Sequence, residues 1–431
     1  MPGLQSVMRR VAIDITPLRL PDYRRLWAGQ GLSFIGFQLT TVAVSAQVYD
    51  ITKSSLWVGL LGPANLIPLI IFGLWGGAVA DVMDRRRLLI VGAVITWIST
   101  LVVLFQAWAG LGNVHVILAA IAVQAMGFAI TSATRGAIIP RIVPAEKVPA
   151  ANTLNFLVSS LGSVLGPLLA GVVLARGGYT LAYLIDAVLF SASFYAAVRL
   201  PHLPPLGEAT RAGLGLVAEG LRYIATSPVV LMSFVVDLIA MGFAMPRALY
   251  PELTELRFGG SPLAYAWLSA AIAIGAVAGG LFSGWVGRVR RQGLALTYVI
   301  AVWGLTVAAA GLVDDLWLVV ALLAVGGVAD LVSAVWRQSI LQLHAPDEMR
   351  GRLQGVFMVV VAGGPRLGDL RAGATAEMFG LTAAWVGGGL VCAVLVIVTG
   401  LAVTSFRRYV PETQRRSPSE DASGGSAEDA G

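Results

Sequence analysis

Twelve apolar stretches, each long enough to cross a bilayer, fall six and six on either side of a polar linker, and the second six repeat features of the first. The fourth stretch reads Arg135, Ile138, Ile139, Pro144, Glu146; the tenth reads Arg337, Ile340, Leu341, Pro346, Glu348, at a constant offset of 202 residues. A helix of about 20 apolar residues covers the hydrocarbon core. The pattern predicts spans near 26–49, 57–80, 88–109, 114–139, 150–175 and 179–198, then 228–250, 262–286, 292–312, 316–343, 353–378 and 381–405. The expected fold is an all-α membrane protein with twelve transmembrane helices in two six-helix bundles. Its N-terminal bundle takes 1–198, a cytoplasmic linker 199–227, the C-terminal bundle 228–408 and a disordered cytoplasmic tail 409–431. Parallel halves of six spans are a way to build a substrate site between two bundles, so the architecture argues for transport.

Composition agrees, because a chain that is 57% hydrophobic and only 13% charged has too little polar material to coat a soluble globule of 431 residues. With the N-terminus in the cytoplasm, inside segments hold 22 of the 30 Lys and Arg residues, and outside loops hold three, Lys53, Arg176 and Arg257. Both termini are therefore expected in the cytoplasm. The net charge of +6 lies at membrane edges, where it meets anionic lipid, and needs no nucleic acid to explain it. Cys392 is the only cysteine, which excludes a disulfide within the chain and indicates no thiolate metal site. The first residues hold no short apolar core with a small-residue cleavage site, so no removable signal peptide is expected. In the linker, Leu216, Leu221 and Ile224 have helical spacing and predict an amphipathic helix along the cytoplasmic face.

The loop after the second span reads Gly77-Ala-Val-Ala-Asp81-Val-Met-Asp84-Arg85-Arg86-Arg87. This resembles the signature of the major facilitator superfamily: glycine, aspartate four residues on, then a tight turn with paired basic residues. The resemblance makes Gly77, Asp81, Asp84, Arg85 and Arg86 a conformational latch. Gly77 would allow close helix approach, and Asp81 would pair with a basic group or cap the next helix in one conformation. Val82 stands where the family often has a basic residue, and Asp84 where it often has glycine.

In the fifth span Gly162, Gly166, Pro167 and Gly171 resemble an element associated, within this superfamily, with exporters that exchange substrate for protons. Small residues four apart let two backbones touch, and proline removes a backbone donor and bends the helix. Gly364-Pro365 repeats the motif in the eleventh span. Two longer stretches, Arg135 to Asn155 and Gly326 to Gly373, resemble the enterobactin-exporter branch, and the likeness extends over nearly all twelve spans. The branch implies efflux of a hydrophilic or amphiphilic small molecule, with siderophores and drugs as the alternatives.

Charges within spans are the remaining candidates, since each costs several kcal/mol (about 2.5–3.5 on insertion scales) unless paired or wet. Asp237, Asp330, Arg366, Asp369 and Arg371 are assigned to proton coupling or substrate, with Asp369 expected to pair with one arginine and leave the other for an anionic group. Asp186 is expected in a structural ion pair, and Arg135 and Arg337 at the cytoplasmic edge, snorkelling or capping. His115, His202 and His344 are too scattered to predict a metal site, no phosphate-binding loop precedes Lys53 or Lys147, and no cofactor or catalysis is implied. The expectation is a monomeric proton-driven exporter of small molecules in a bacterial cytoplasmic (inner) membrane. A broad drug pump and a non-transporting receptor or scaffold are the other readings.

Overall fold

The structure, a computed structural model, describes residues 14–80, 83–204, 214–344 and 349–410. Helix α1 (Pro21–Thr52) starts on a proline at its first position, where the missing N–H is no loss, and ends at Lys53, whose φ of 49° turns the chain back. α2 (Ser55–Ala80), α3 (Arg85–Trp108) and α4 (Val114–Ile142) follow. Asn113 caps α4 by accepting the N–H groups of His115 at 3.0 Å and Val116 at 3.3 Å. α5 (148–177) and α6 (179–198) succeed each other with no loop, through Gly178 at φ 62°, a conformation open to glycine.

The second half begins with α7 (Leu214–Thr226), α8 (Pro228–Phe243), a 3-10 turn at Arg247–Leu249 and the short α9 (Tyr250–Phe258). Then come α10 (Pro262–Leu281), α11 (Gln292–Ala310), α12 (Leu316–His344), α13 (Arg350–Phe379) and α14 (Leu381–Ala402). Among the described residues, ten helical runs are long and apolar enough to cross a membrane. One of these, Ala145–Val198, contains both α5 and α6. With α13, which carries more charge, the count reaches the expected twelve. Large apolar side chains such as Phe105, Leu281 and Phe282 are 58%, 79% and 77% exposed, a surface suited to lipid and costly in water.

Two compact units are formed, one within Met1–Ala212 plus Tyr250–Ala270, the other within Gly213–Leu249 plus Ala271–Gly431. In the first, α1 packs along α5 and α6, and α4 against α2 and α3. The stretch Tyr250–Ala270, part of the expected C-terminal bundle, packs in this first unit: Lys53 Nζ lies 2.8 Å from Glu255 Oε2, and Ser55 Oγ donates to Glu252 Oε2 at 2.5 Å. In the second unit α11 packs against α12 and α14, and α13 against α8 and α14. The helix expected in the linker is α7, but it rests on protein. Ile224 is buried with Val230, Phe234, Leu341, Leu353 and Val356, while Leu221 is half exposed. Residues 205–213 of the linker and the tail from 411 lie outside the described residues.

Gly162 and Gly166 face α1, where a Cβ would meet the ring of Phe34 and the backbone oxygen of Ile35; Gly171 faces Ala266 and the backbone of Pro262. Pro167 is buried between them in the sequence. Replacing Gly166 with Val should destabilise the first unit by about 1–3 kcal/mol, because the atoms to be displaced, Gln38 Cβ and the Ile35 carbonyl oxygen, are fixed to the α1 backbone. Gly73→Ala, inside α2 with nothing within 4 Å of the added carbon, should leave stability unchanged or raise it by up to about 1 kcal/mol. Thermal unfolding in detergent separates the two variants, and equal melting would refute the close-approach account.

Candidate functional site

Asp330 and Arg337 lie two helical turns apart on α12 and so share a face, and α8 brings Asp237 against it. The Arg337 guanidinium contacts the Asp237 carboxylate directly, both side chains nearly sealed at 5% and 4% exposure. Its Nη2 lies 3.9 Å from Asp330 Oδ1, whose side chain is 33% exposed, and its Nε donates to the carbonyl of Ser333 at 3.3 Å. One cation therefore stands between a nearly sealed carboxylate and a half-buried one. Arg337 does not snorkel to the membrane edge as its position in the span implied. A partner on α8, about 100 residues earlier in the chain, holds it inside.

α13 supplies Arg366, Asp369 and Arg371. Arg371 is committed to backbone: Nε donates to the Gly242 carbonyl at 3.1 Å, Nη1 to that of Ala384 at 3.4 Å, and Nη2 to that of Phe243, over whose ring the guanidinium lies at 5.8 Å. These Gly242 and Phe243 oxygens end α8 and lack helical partners, so Arg371 closes the helix rather than meeting Asp369 or a substrate anion. Arg366 Nη1 donates to Ala362 in its own helix at 2.5 Å. Asp369 accepts the backbone N–H of Ala248 and is acted on by Arg247 and Arg366, while its Oδ1 is buried with no hydrogen-bond donor among the described residues.

In the first unit Asp186 has no cation within 4 Å among the described residues, in contrast to the ion pair expected of it. Thr40 donates to its Oδ2 at 2.7 Å and Thr100 at 3.4 Å. Arg135 is half-buried, its Nη2 donating to Ser193 Oγ at 2.9 Å.

The signature loop forms a clasp within the first unit. Asp81 lies outside the described residues, and of Gly77 only its place on α2 is described. Asp84, which takes the position of a family glycine, caps α3: Oδ1 accepts the N–H of Arg87 at 2.9 Å, and Oδ2 the N–H of Leu203 at 3.0 Å, with His202 Nδ1 at 2.5 Å. The Arg85 N–H donates to the Leu203 carbonyl at 3.1 Å, Arg86 to that of Val198 at 2.6 Å, and Arg141 to that of Pro204 at 2.7 Å. Burial pushes the Asp84 carboxyl upward. The Arg87 and Leu203 donors, with His202 and the Arg87 charge, outweigh it and hold the group below the ordinary carboxylate range.

Apolar helices in this number, carrying carboxylates and guanidinium groups inside the spans, define a multi-pass membrane protein. The family model of transmembrane secretion effectors matches residues 12–423, and the chain belongs to that family of the major facilitator superfamily. The enterobactin exporter EntS of Shigella boydii serotype 18 is 27% identical over 413 residues, which cover 91% of this chain and 95% of the exporter. A bacterial homologue of the human lysosomal transporter Spinster matches with a TM-score of 0.70 at 17% identity, over 91% of this chain and 97% of its own. The nucleoside transporter NupG matches at 0.71 and 15%, over 90% of this chain and all 100% of its own. At those identities the two structures show the shared fold.

A carboxylate held below its unfolded pKa contributes stability that is present above the unfolded value and lost as pH falls through the folded one. Asp84→Ala should therefore cost about 1 kcal/mol at neutral pH. The gap between variant and parent should close as the medium is acidified below the carboxylate range. Melting curves across that range would reject the capping role if the gap were constant.

Proposed function

We propose that this chain is a secondary exporter of the bacterial cytoplasmic membrane, with both termini inside, that exchanges protons for a siderophore-like molecule by alternating access. The observation that carries the reading is the single guanidinium of Arg337 between Asp237 and Asp330. A proton on Asp237 cancels the charge that holds Arg337 against α8, and Asp330 then becomes its stronger partner. Occupancy of one carboxyl thus becomes a change in how α8 and α12 are tied, which is the differential contact a proton needs in order to shift a conformational equilibrium. Asp369, with Arg247 and Arg366 acting on it, forms a second polar group, and Arg371 positions the end of α8 behind it. Asp84 and Arg86, with Gly77, Asp81 and Arg85, serve as the conformational latch, and Gly162, Gly166, Pro167 and Gly171 as the exporter-type seam of α5. The enterobactin exporter's likeness along 91% of the chain supports a siderophore-like cargo.

In proteoliposomes, iron-free enterobactin should be moved by an imposed proton gradient, and Asp237→Asn or Asp330→Asn should reduce that movement at least tenfold. Asp237→Asn should also destabilise the second unit, by less than the about 3–5 kcal/mol of a fully stranded buried charge, because Asp330 still faces Arg337. The double variant Asp237→Asn/Arg337→Gln should regain stability without regaining transport. Gradient-driven movement that survives in the single variants would overturn the coupling. Movement of unrelated dyes at the same rate would point to a broad drug pump, and no movement of any compound to a scaffold.

A further inference from the structure

The signature loop of the first unit has a counterpart in the second, the 3-10 turn at Ser283–Arg288 that leads from α10 into α11, and there the acids are gone. At an offset of 203 residues, Gly284 and Gly287 stand where the first half has Asp81 and Asp84, while Arg288 and Arg290 match Arg85 and Arg87, and Arg291 is added. Where Asp84 caps α3, α11 starts after Arg291 with no side-chain cap. The short α15 (Thr404–Arg407) rests on this same end. A Cβ on Gly293 would meet the Phe406 carbonyl oxygen and the Tyr409 Cβ, so Arg407 and Arg408 join the start of α11.

In the first unit Arg86 and Arg141 are committed to the carbonyls of Val198 and Pro204. The side chains of Arg288, Arg290, Arg291, Arg407 and Arg408 make no ion pair or hydrogen bond among the described residues, and all but the half-buried Arg407 are exposed. The sequence holds no Asp or Glu between Glu255 and Asp314, nor between Glu377 and Glu412. Like charges gathered at one helix end repel, and an external anion relieves that repulsion.

Apolar surface lies beside this charge: Leu281 and Phe282 are 79% and 77% exposed, and Trp285 49%. The turn that carries it is pinned to α12. Val286 is buried, its carbonyl accepts from Trp336 Nε1 at 3.0 Å, and the Trp285 and Trp336 rings meet edge-on at 6.2 Å. Arginines flanked by leucine and aromatic side chains at the end of a spanning helix fit a molecule with an anionic head and acyl chains. A free phosphate would leave the apolar side chains uncovered. So would the chain's own acidic tail, since the apolar side chains of residues 417–431 are alanines and one proline.

We propose that the α10–α11 turn, with α15, is a binding site for an anionic phospholipid. The lipid phosphate is held by Arg288, Arg290 and Arg291, with Arg407 and Arg408 beside them, and its acyl chains lie along Leu281, Phe282 and Trp285. The site belongs to the second unit alone and is independent of what the chain transports.

Native mass spectrometry of the full chain released from detergent tests this, with palmitoyl-oleoyl phosphatidylglycerol as the probe. That lipid should bind at least about tenfold more tightly than phosphatidylcholine of the same chains. Arg288→Gln/Arg290→Gln/Arg291→Gln should weaken it at least about tenfold, whereas Arg24→Gln/Arg25→Gln/Arg222→Gln, an equal loss of charge at exposed arginines elsewhere, should change it less than about twofold. Should the first triple variant fail to fold, Arg290→Gln alone decides, with an expected loss of about threefold or more. Glycerol phosphate at the same concentration should not displace the lipid. Equal binding of the two lipids, phosphatidylglycerol binding that survives loss of the turn arginines or falls equally in the second triple variant, or displacement by glycerol phosphate would each overturn the site. Deleting residues 417–431 should leave the affinity unchanged, and a large gain would assign the arginines to the tail instead.

Discussion

Helices in a bilayer gain nothing from hiding apolar surface from one another, because lipid is as apolar as a leucine; what holds them is how closely their backbones approach. In this chain that approach is made at glycine. Gly304 on α11 and Gly389 on α14 face each other so tightly that a carbon added to either would meet the other's carbonyl oxygen. Gly327 on α12 lies against the backbone of Ile272 on α10 in the same manner. Two of the polar groups inside the spans lie beside contacts of this kind. Gly364 and Gly368 of α13 lie against Met241 of α8, and that contact sets Arg371 within reach of the α8 carbonyls. Gly36 of α1 lies directly on the Asp186 carboxyl, so there the backbone itself forms one wall around the acid.

The two units handle interior charge differently. In the second, carboxylates of α8 and α12 share one arginine, and charge is compensated by charge. In the first, Asp186 is met by the hydroxyls of Thr40 and Thr100, the latter also accepting from Gln124, and the nearby Arg135 turns to Ser193. In the second unit the cation has two acids within 4 Å. A carboxyl among hydroxyls has one arrangement and a vacancy for a hydrogen bond. The difference stands although the two halves repeat one sequence pattern at an offset of 202 residues.

Much of the fold was legible from local signals. Runs of about twenty apolar residues, the bias of Arg and Lys, and the constant repeat offset each need only a short window of sequence, and together they specify twelve helices in two sets. The glycines of the fifth span were legible for the same reason, since spacing on one helix face is a local property. What escaped were pairings across long stretches of chain. Asp237 and Asp330 stood out as charges in apolar runs, yet nothing near Arg337 in sequence announces a partner 100 residues away. Arg371 looked available because the carbonyl ends of α8 carry no side-chain signature. Asp84 registered as a departure from a family glycine, and only its contacts with Arg87, His202 and Leu203 explain why a carboxylate stands there.

The junction between α5 and α6 has a mechanical consequence. A loop would give the two helices slack, but here a single residue, Gly178, joins them through one pair of torsions. Axial sliding of α5 must drag α6 with it, so the pair works as a lever on a one-residue pivot. Its long arm is seated on α1 through the small-residue seam, and its short arm carries Asp186. A shift of α5 along α1 is therefore carried to α6, and with it to Asp186, through one glycine and no tether.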